Sequence, residues 1–199
     1  MKQKLTRQFY SQPTLEVAHA LLGKYLVRQI GQQKLIGQII ETEAYLGHQD
    51  KASHAFGKRT ARNEIMFGSA GFWYVYLIYG IFSCLNVVTQ KKGFPSAVLI
   101  RALEPIEGIG VMKRLRRKSD LGDLTSGPGK LCQALKIDRT LNRTKAFGRD
   151  CSLWIQGRKE PNDFKIGTSK RIGVDYAGPY WASRQWRFFI KDNQFVSKR

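Results

Sequence analysis

Cysteine is scarce in this chain: three in 199 residues, Cys84, Cys132 and Cys151, odd in number and widely spaced. They build neither a disulfide framework nor a CxxC zinc site, and a reducing compartment is expected. Acidic residues are scarce too. With 15 Asp+Glu against 34 Lys+Arg, the formal charge is 34 − 15 = +19. No basic arm explains the excess, because residues 1–100 hold 12 basic and 5 acidic side chains and residues 101–199 hold 22 and 10. Repeats and low-complexity tracts are missing. Met1 to Arg7 is basic but leads into polar Gln8 to Gln12 with no apolar run, so no secretory signal is expected. One uncharged stretch, Ile65 to Gln90, would span a bilayer as a helix. Gly68, Ser69, Gly71 and Gly80 interrupt it, and Ser83, Asn86 and Thr89 dot its second half, so it reads as two strands and a turn.

What is present is material for a core: 42% hydrophobic and 12% aromatic residues exclude a disordered basic tail. The length fits one domain, taken as residues 1–199. A folded domain this basic keeps its charge on the surface, where it favours polyanions and loses them as salt rises. Nucleic acid is the leading partner, with an anionic membrane or ribosomal RNA as the alternative. The pattern predicts a helix over Thr14 to Leu22, then strands over Tyr25 to Ile30 and Leu35 to Tyr45 joined by Gly31-Gln32-Gln33. Aromatic and β-branched runs predict a hairpin of Phe72 to Ile78 and Ile81 to Val88 turning at Tyr79-Gly80. A strand over Ala97 to Leu103, helices over Val111 to Lys118 and Lys130 to Leu135, and short strands over Leu153 to Gln156 and Arg187 to Ile190 follow. Sequential hairpin-type strands with helices at intervals predict an α+β fold.

Side chains alternate along a strand, so Glu41, Glu43 and Tyr45 share one face. Two readings of that face stand open: a general base or metal ligand beside an aromatic platform, or a solvated edge strand. Tyr79 is unusual at a hairpin tip, where Asn, Asp or Gly dominate. Its ring is either a wedge for the gap left by an unstacked base or a side chain folded back into the core. His54 lies near Arg59, Arg62 and Asn63 in the loop after the acidic strand. Thr125-Ser126-Gly127-Pro128-Gly129-Lys130 precedes a helix start that could face phosphate, although the Walker A spacing fails at Leu124 and Leu131.

Taken in order, several motifs resemble the alkyladenine family of 3-methyladenine DNA glycosylases, over nearly the whole chain. They are Glu41-Thr42-Glu43-Ala44-Tyr45, Arg62-Asn63, Met66-Phe67, Tyr74-Val75-Tyr76-Leu77-Ile78-Tyr79-Gly80, Cys84-Leu85-Asn86, Leu99-Ile100-Arg101-Ala102-Leu103-Glu104-Pro105, the run from Gly127 to Leu135, and Arg171-Ile172-Gly173-Val174. The resemblance implies a single compact α+β domain with a curved antiparallel sheet, surrounding helices and a protruding hairpin that enters the minor groove of double-stranded DNA. It implies a monofunctional enzyme that flips alkylated or deaminated purines (3-methyladenine, 7-methylguanine, hypoxanthine, ethenoadenine), hydrolyses the N-glycosidic bond and leaves an abasic site.

Residue by residue, Glu43 matches the catalytic carboxylate, and Arg101 and the main-chain carbonyl of Ile172 match groups that hold the attacking water. Tyr45, His54 and Tyr76 match the pocket that sandwiches the base. The His54 main-chain N–H resembles the donor that reads its 6-position, and Asn86 matches the side chain that crowds a guanine 2-amino group. Tyr79 matches the intercalating residue, and Arg62, Lys130 and Arg171 are assigned to DNA phosphates. No metal or cofactor is implied, and a monomeric, cytoplasmic, nucleoid-associated, prokaryote-like minimal member is expected. Gly68 to Trp73 and Ile81 to Ser83 depart from the usual residues beside the hairpin. A non-catalytic nucleic-acid-binding module is the alternative, and a metal nuclease built on Glu41 and Glu43 a further one. Only one carboxylate is assigned to the water, so Glu41 is expected to matter much less than Glu43.

Overall fold

A computed structural model describes residues 3–158 and 163–197. Two short helices, α1 (Arg7–Tyr10) and α2 (Thr14–Ala20), precede strands β1 (Tyr25–Ile30) and β2 (Gln33–Leu46). The hairpin β3 (Trp73–Ile78) and β4 (Phe82–Val88) comes next, then β5 (Ser96–Glu107), α3 (Ile109–Arg116) and α4 (Pro128–Ala134). The chain closes with β6 (Leu153–Gln156), β7 (Ile166–Ser169), α5 (Pro179–Ala182) and β8 (Arg187–Ile190). All eight strands join one antiparallel sheet in the order β3-β4-β5-β2-β1-β6, with β8 also paired to β2 and β7 to β8.

Strand alternation divides the sheet into two faces with different tasks. On one face Ile40, Ala44, Trp73, Val75, Leu85, Val87, Val98 and Ile100 are buried in the main core with Val17 and Ala18 of α2 and Leu131 and Cys132 of α4. Each large side chain buried this way contributes about 1.5–3 kcal/mol, and the indole N–H of Trp73 is satisfied by the Leu153 carbonyl at 3.1 Å. Thr42 ties the same face to α2 by donating to the Ala18 carbonyl at 2.8 Å. The opposite face carries Glu41, Glu43, Tyr45, Tyr74, Tyr76, Asn86, Leu99 and Arg101. The fold thus holds the polar residues of interest on the back of a rigid core.

Strand β2 is central where those residues lie. Glu41 and Glu43 pair with Ala102 and Leu99 on one side and with Phe189 and Arg187 on the other. The solvated-edge reading of Glu41 and Glu43 is therefore overturned, since both are paired on two sides and fully buried. The β2 and β5 registers slip twice here, leaving Ile40 and then Arg101 without a direct partner. Such bulges re-aim a side chain and sharpen the local twist. The link between β1 and β2 is Gly31-Gln32 alone, one residue shorter than expected, because Gln33 already pairs with Ile30. The uncharged stretch folds as β-hairpin as anticipated, and no helix among the described residues is long and apolar enough to cross a membrane.

At the hairpin tip Tyr79 and Gly80 both adopt positive φ, 52° and 73°, and the Ile81 N–H donates to the Ile78 carbonyl at 3.3 Å. A tight turn between twisted antiparallel strands needs this conformation, which a glycine adopts freely and a tyrosine only at some strain. Tyr79 is 85% exposed and Ile81 72%. The reading that folds the tip back into the core fails.

Candidate active site

The sheet's polar face builds a site around Glu43. Its Oε1 accepts the Ile172 main-chain N–H at 2.8 Å and faces Arg101 Nη1 at 3.3 Å, and its Oε2 accepts the Tyr45 hydroxyl at 2.7 Å. Tyr45, Arg101 and Ile172 all line a cavity of about 360 Å³, so Glu43 lies directly behind its wall. The other walls include His54, Tyr74, Tyr76, Asn86, Met66 and Leu99. A cavity of that size, walled largely by aromatic rings, can hold one small organic ligand.

Its electrostatics follow from burial. The Tyr45 phenol is driven well above its ordinary pKa by desolvation and by the neighbouring Glu43 carboxylate, so it stays protonated and donates. Burial opposes charge on Arg101, but the Glu43 and Glu41 carboxylates outweigh it and hold the guanidinium above its ordinary value. Desolvation and then the Arg62 cation pull His54 down to about 4, and burial pushes Tyr74 up to about 12. At neutral pH the aromatic walls are thus uncharged, and the cavity's cations are Arg101, beside Glu43, and Arg62.

His54 and Tyr76 meet edge to face, with centroids 4.5 Å apart, and His54 Nδ1 lies 2.9 Å from the Tyr74 hydroxyl. Asn63 fixes the loop beneath by donating to the His54 carbonyl at 2.6 Å. Asn86, buried, is locked by its bond to the Tyr74 carbonyl at 3.2 Å. Tyr79 also reaches the cavity rim, as does Arg62, exposed, which donates to the Leu77 carbonyl and covers the Tyr76 ring at 5.2 Å.

Burial overturns one of the assignments to phosphate. Arg171 is buried, its guanidinium bound bidentately to Asp50 at 2.5 and 2.9 Å and donating to the Ala44 carbonyl at 3.0 Å. It stacks between Tyr45 and Trp186, 4.8 and 4.9 Å from their ring centres, and so braces the platform from behind instead of facing DNA. Lys130 lies in a second cavity, of about 560 Å³, which shares Ile78, Tyr79, Cys84, Arg101 and Pro128 with the first. Its ammonium group donates to Asp123 and, at 3.5 Å, to the Ser126 hydroxyl, which leaves one of its three donors for a further acceptor.

Sequence reading missed Asp50, Tyr74, Arg187 and Ser197. Tyr74 was legible as an aromatic on the same strand face as Tyr76. Asp50, Arg187 and Ser197 lie in ordinary contexts, and their partners are distant in the chain.

A carboxylate held by a cation, a phenol and a main-chain N–H behind a cavity walled by aromatic rings can activate a water against a bound aromatic ligand. The methylpurine-DNA glycosylase family matches residues 8–194. A protein of Methanocella arvoryzae is 52% identical over 196 residues, covering 98% of this chain and 96% of its own length. One from Alkaliphilus oremlandii is 46% identical (98% and 100% covered) and one from Legionella pneumophila 48% (98% and 99%). All three carry the provisional name 3-methyladenine DNA glycosylase. This chain belongs to the methylpurine-DNA glycosylase family.

Proposed function

We propose that this glycosylase flips an alkylated or deaminated purine out of duplex DNA, with 3-methyladenine, 7-methylguanine, hypoxanthine and ethenoadenine as the substrate class, and hydrolyses its bond to the sugar. The observation that carries the reading is Glu43, a fully buried carboxylate whose three partners all line the cavity. Tyr79 enters the minor groove and fills the gap that the flipped base leaves, offsetting part of an unstacking cost of a few kcal/mol. The base slides between Tyr45, His54 and Tyr76, with the His54 main-chain N–H at its 6-position and Asn86 against its 2-position. A methylated purine carries positive charge, which strengthens stacking on tyrosine faces. An uncharged His54 avoids repelling it.

In the chemical step a water held by Arg101 and the Ile172 carbonyl attacks C1′ of the deoxyribose. The bond from C1′ to the base nitrogen breaks and its electron pair leaves with the base. Glu43 accepts the water proton and steadies the oxocarbenium-like sugar. Water is the nucleophile in this reading and an intact abasic site the product, which the lack of a lysine lining the cavity among the described residues supports. Arg62 and other surface cations contact phosphates, and a monomer suffices for every contact.

The test is single-turnover base release from methylated and hypoxanthine-containing duplexes, read on a gel after abasic-site cleavage, with and without EDTA. Glu43→Gln is expected to keep DNA affinity and lose at least roughly a hundredfold in rate, the scale of a positioned acid or base. A near wild-type rate would make Glu43 structural, and loss of wild-type activity in EDTA would favour a metal nuclease.

A further inference from the structure

The chemistry above uses Glu43 and leaves Glu41, equally buried and two residues away, without a task. Its Oε1 accepts from Arg101 Nε at 3.1 Å, Arg187 Nε at 2.6 Å and the Ser197 hydroxyl at 2.8 Å, and its Oε2 accepts the Ser197 main-chain N–H at 2.7 Å. The Ser197 hydroxyl also lies 3.4 Å from both Nε and Nη2 of Arg101. Phe195, buried in the main core, anchors the C-terminal segment that delivers Ser197.

Arg101 is consequently gripped on two edges. Glu41 and Ser197 hold the Nε and Nη2 edge, while Glu43 receives only Nη1, at 3.3 Å. A guanidinium is a rigid planar fork that prefers to bind one carboxylate with two parallel bonds. Left free, Arg101 would turn and close on Glu43 in that way, occupying the lone pairs that a catalytic base needs. Stability alone does not call for such an arrangement, since well-packed apolar residues often replace buried ion pairs without loss. We propose that Glu41 and Ser197 are positioning residues that hold Arg101 off Glu43, so that the C-terminal segment completes the active site. The proposal rests on the glycosylase reading above, and it reverses the expectation that Glu41 matters little.

Ser197→Ala is the main test because it removes one hydroxyl and no charge. Its single-turnover release of hypoxanthine should fall roughly tenfold, as expected for a modest misplacement of a catalytic group. Affinity for a duplex carrying a stable abasic-site analogue and the melting temperature should stay close to wild type. Ser197→Thr, which keeps the hydroxyl, should recover most of the rate. Glu41→Gln should lose more rate than Ser197→Ala, and if it fails to fold the serine pair still decides. An unchanged rate in Ser197→Ala, a loss no greater than its loss of folded protein, or no recovery in Ser197→Thr would overturn the proposal. If the wild-type protein itself releases no base, the glycosylase reading is what fails.

Discussion

Replacing Arg171 with methionine separates a buried brace from a phosphate contact, because the two roles predict opposite signatures. The Arg171 side chain has no exposed surface, nor does that of its partner Asp50. Methionine keeps much of the stem but leaves the Asp50 carboxylate buried without a cation, and breaking a buried pair from one side costs about 3–5 kcal/mol. For a chain of this length each kcal/mol is about 2–4 °C in melting temperature, so the expected fall is about 6–20 °C. A phosphate contact would instead leave the melt alone and reduce the slope of log affinity against log salt by about 0.9. The assays are a thermal melt at pH 7 and binding to undamaged duplex from about 50 to 200 mM salt, the range over which such contacts register.

Asp50→Asn added to Arg171→Met removes the stranded charge, so the double variant should be less destabilised than the two single losses summed. A melting temperature within about 2 °C of wild type, the equivalent of under 1 kcal/mol, together with a shallower salt slope would refute the brace and return Arg171 to the DNA surface.

Other outcomes follow from the hairpin and the pocket. Tyr79→Ser removes a ring that is 85% exposed, so the melt should not move. Capture of the flipped state should weaken by about 1–3 kcal/mol, the range for one stacked ring, seen as lower 2-aminopurine fluorescence beside the lesion; an unchanged signal would deny the ring a wedge role. Asn86→Ser opens the space facing a guanine 2-amino group, so excision of undamaged guanine from G·T duplexes should rise modestly while hypoxanthine activity persists. Equal guanine release would move the exclusion to another residue.

The site was legible in sequence wherever its signal is local. Aromatic and β-branched runs on either side of Tyr79-Gly80 announce a hairpin, and strand alternation alone places Glu41, Glu43 and Tyr45 together. Alternation also hid something, because it treats Glu41 and Glu43 as equivalents. What distinguishes them is Ile172 at one and Ser197 at the other, more than 120 residues away in each case. The same limit explains Arg171, which follows Lys170 in what reads as a basic loop; its burial depends on Asp50, 121 residues earlier. Strand β7, Ile166–Ser169, escaped notice because its run is short and contains a glycine and two hydroxyl side chains. The bulges at Ile40 and Arg101 arise from the mismatch between two paired strands, which neither strand's own residues encode.

The buried charges are matched in sign, which lets so basic a protein hold carboxylates such as Glu43 in its interior. Among the described residues the buried ionisable acids are Glu41, Glu43 and Asp50, and the buried cations are Arg101, Arg171 and Arg187, three of each sign. They fall into two balanced groups: Glu41 and Glu43 with Arg101 and Arg187, and Asp50 with Arg171. The buried set therefore contributes nothing to the formal +19, and the exposed cations attract a polyanion over a range that salt screens. Arginine is the cation in each buried pair, a side chain that cannot give up its proton at any working pH, so no pair depends on a cation that titrates. Attraction to DNA and the geometry at Glu43 are thus carried by separate sets of charges. Surface Lys or Arg substitutions should change affinity with its salt dependence and leave the chemical step nearly untouched, whereas changes in the buried set should do the reverse.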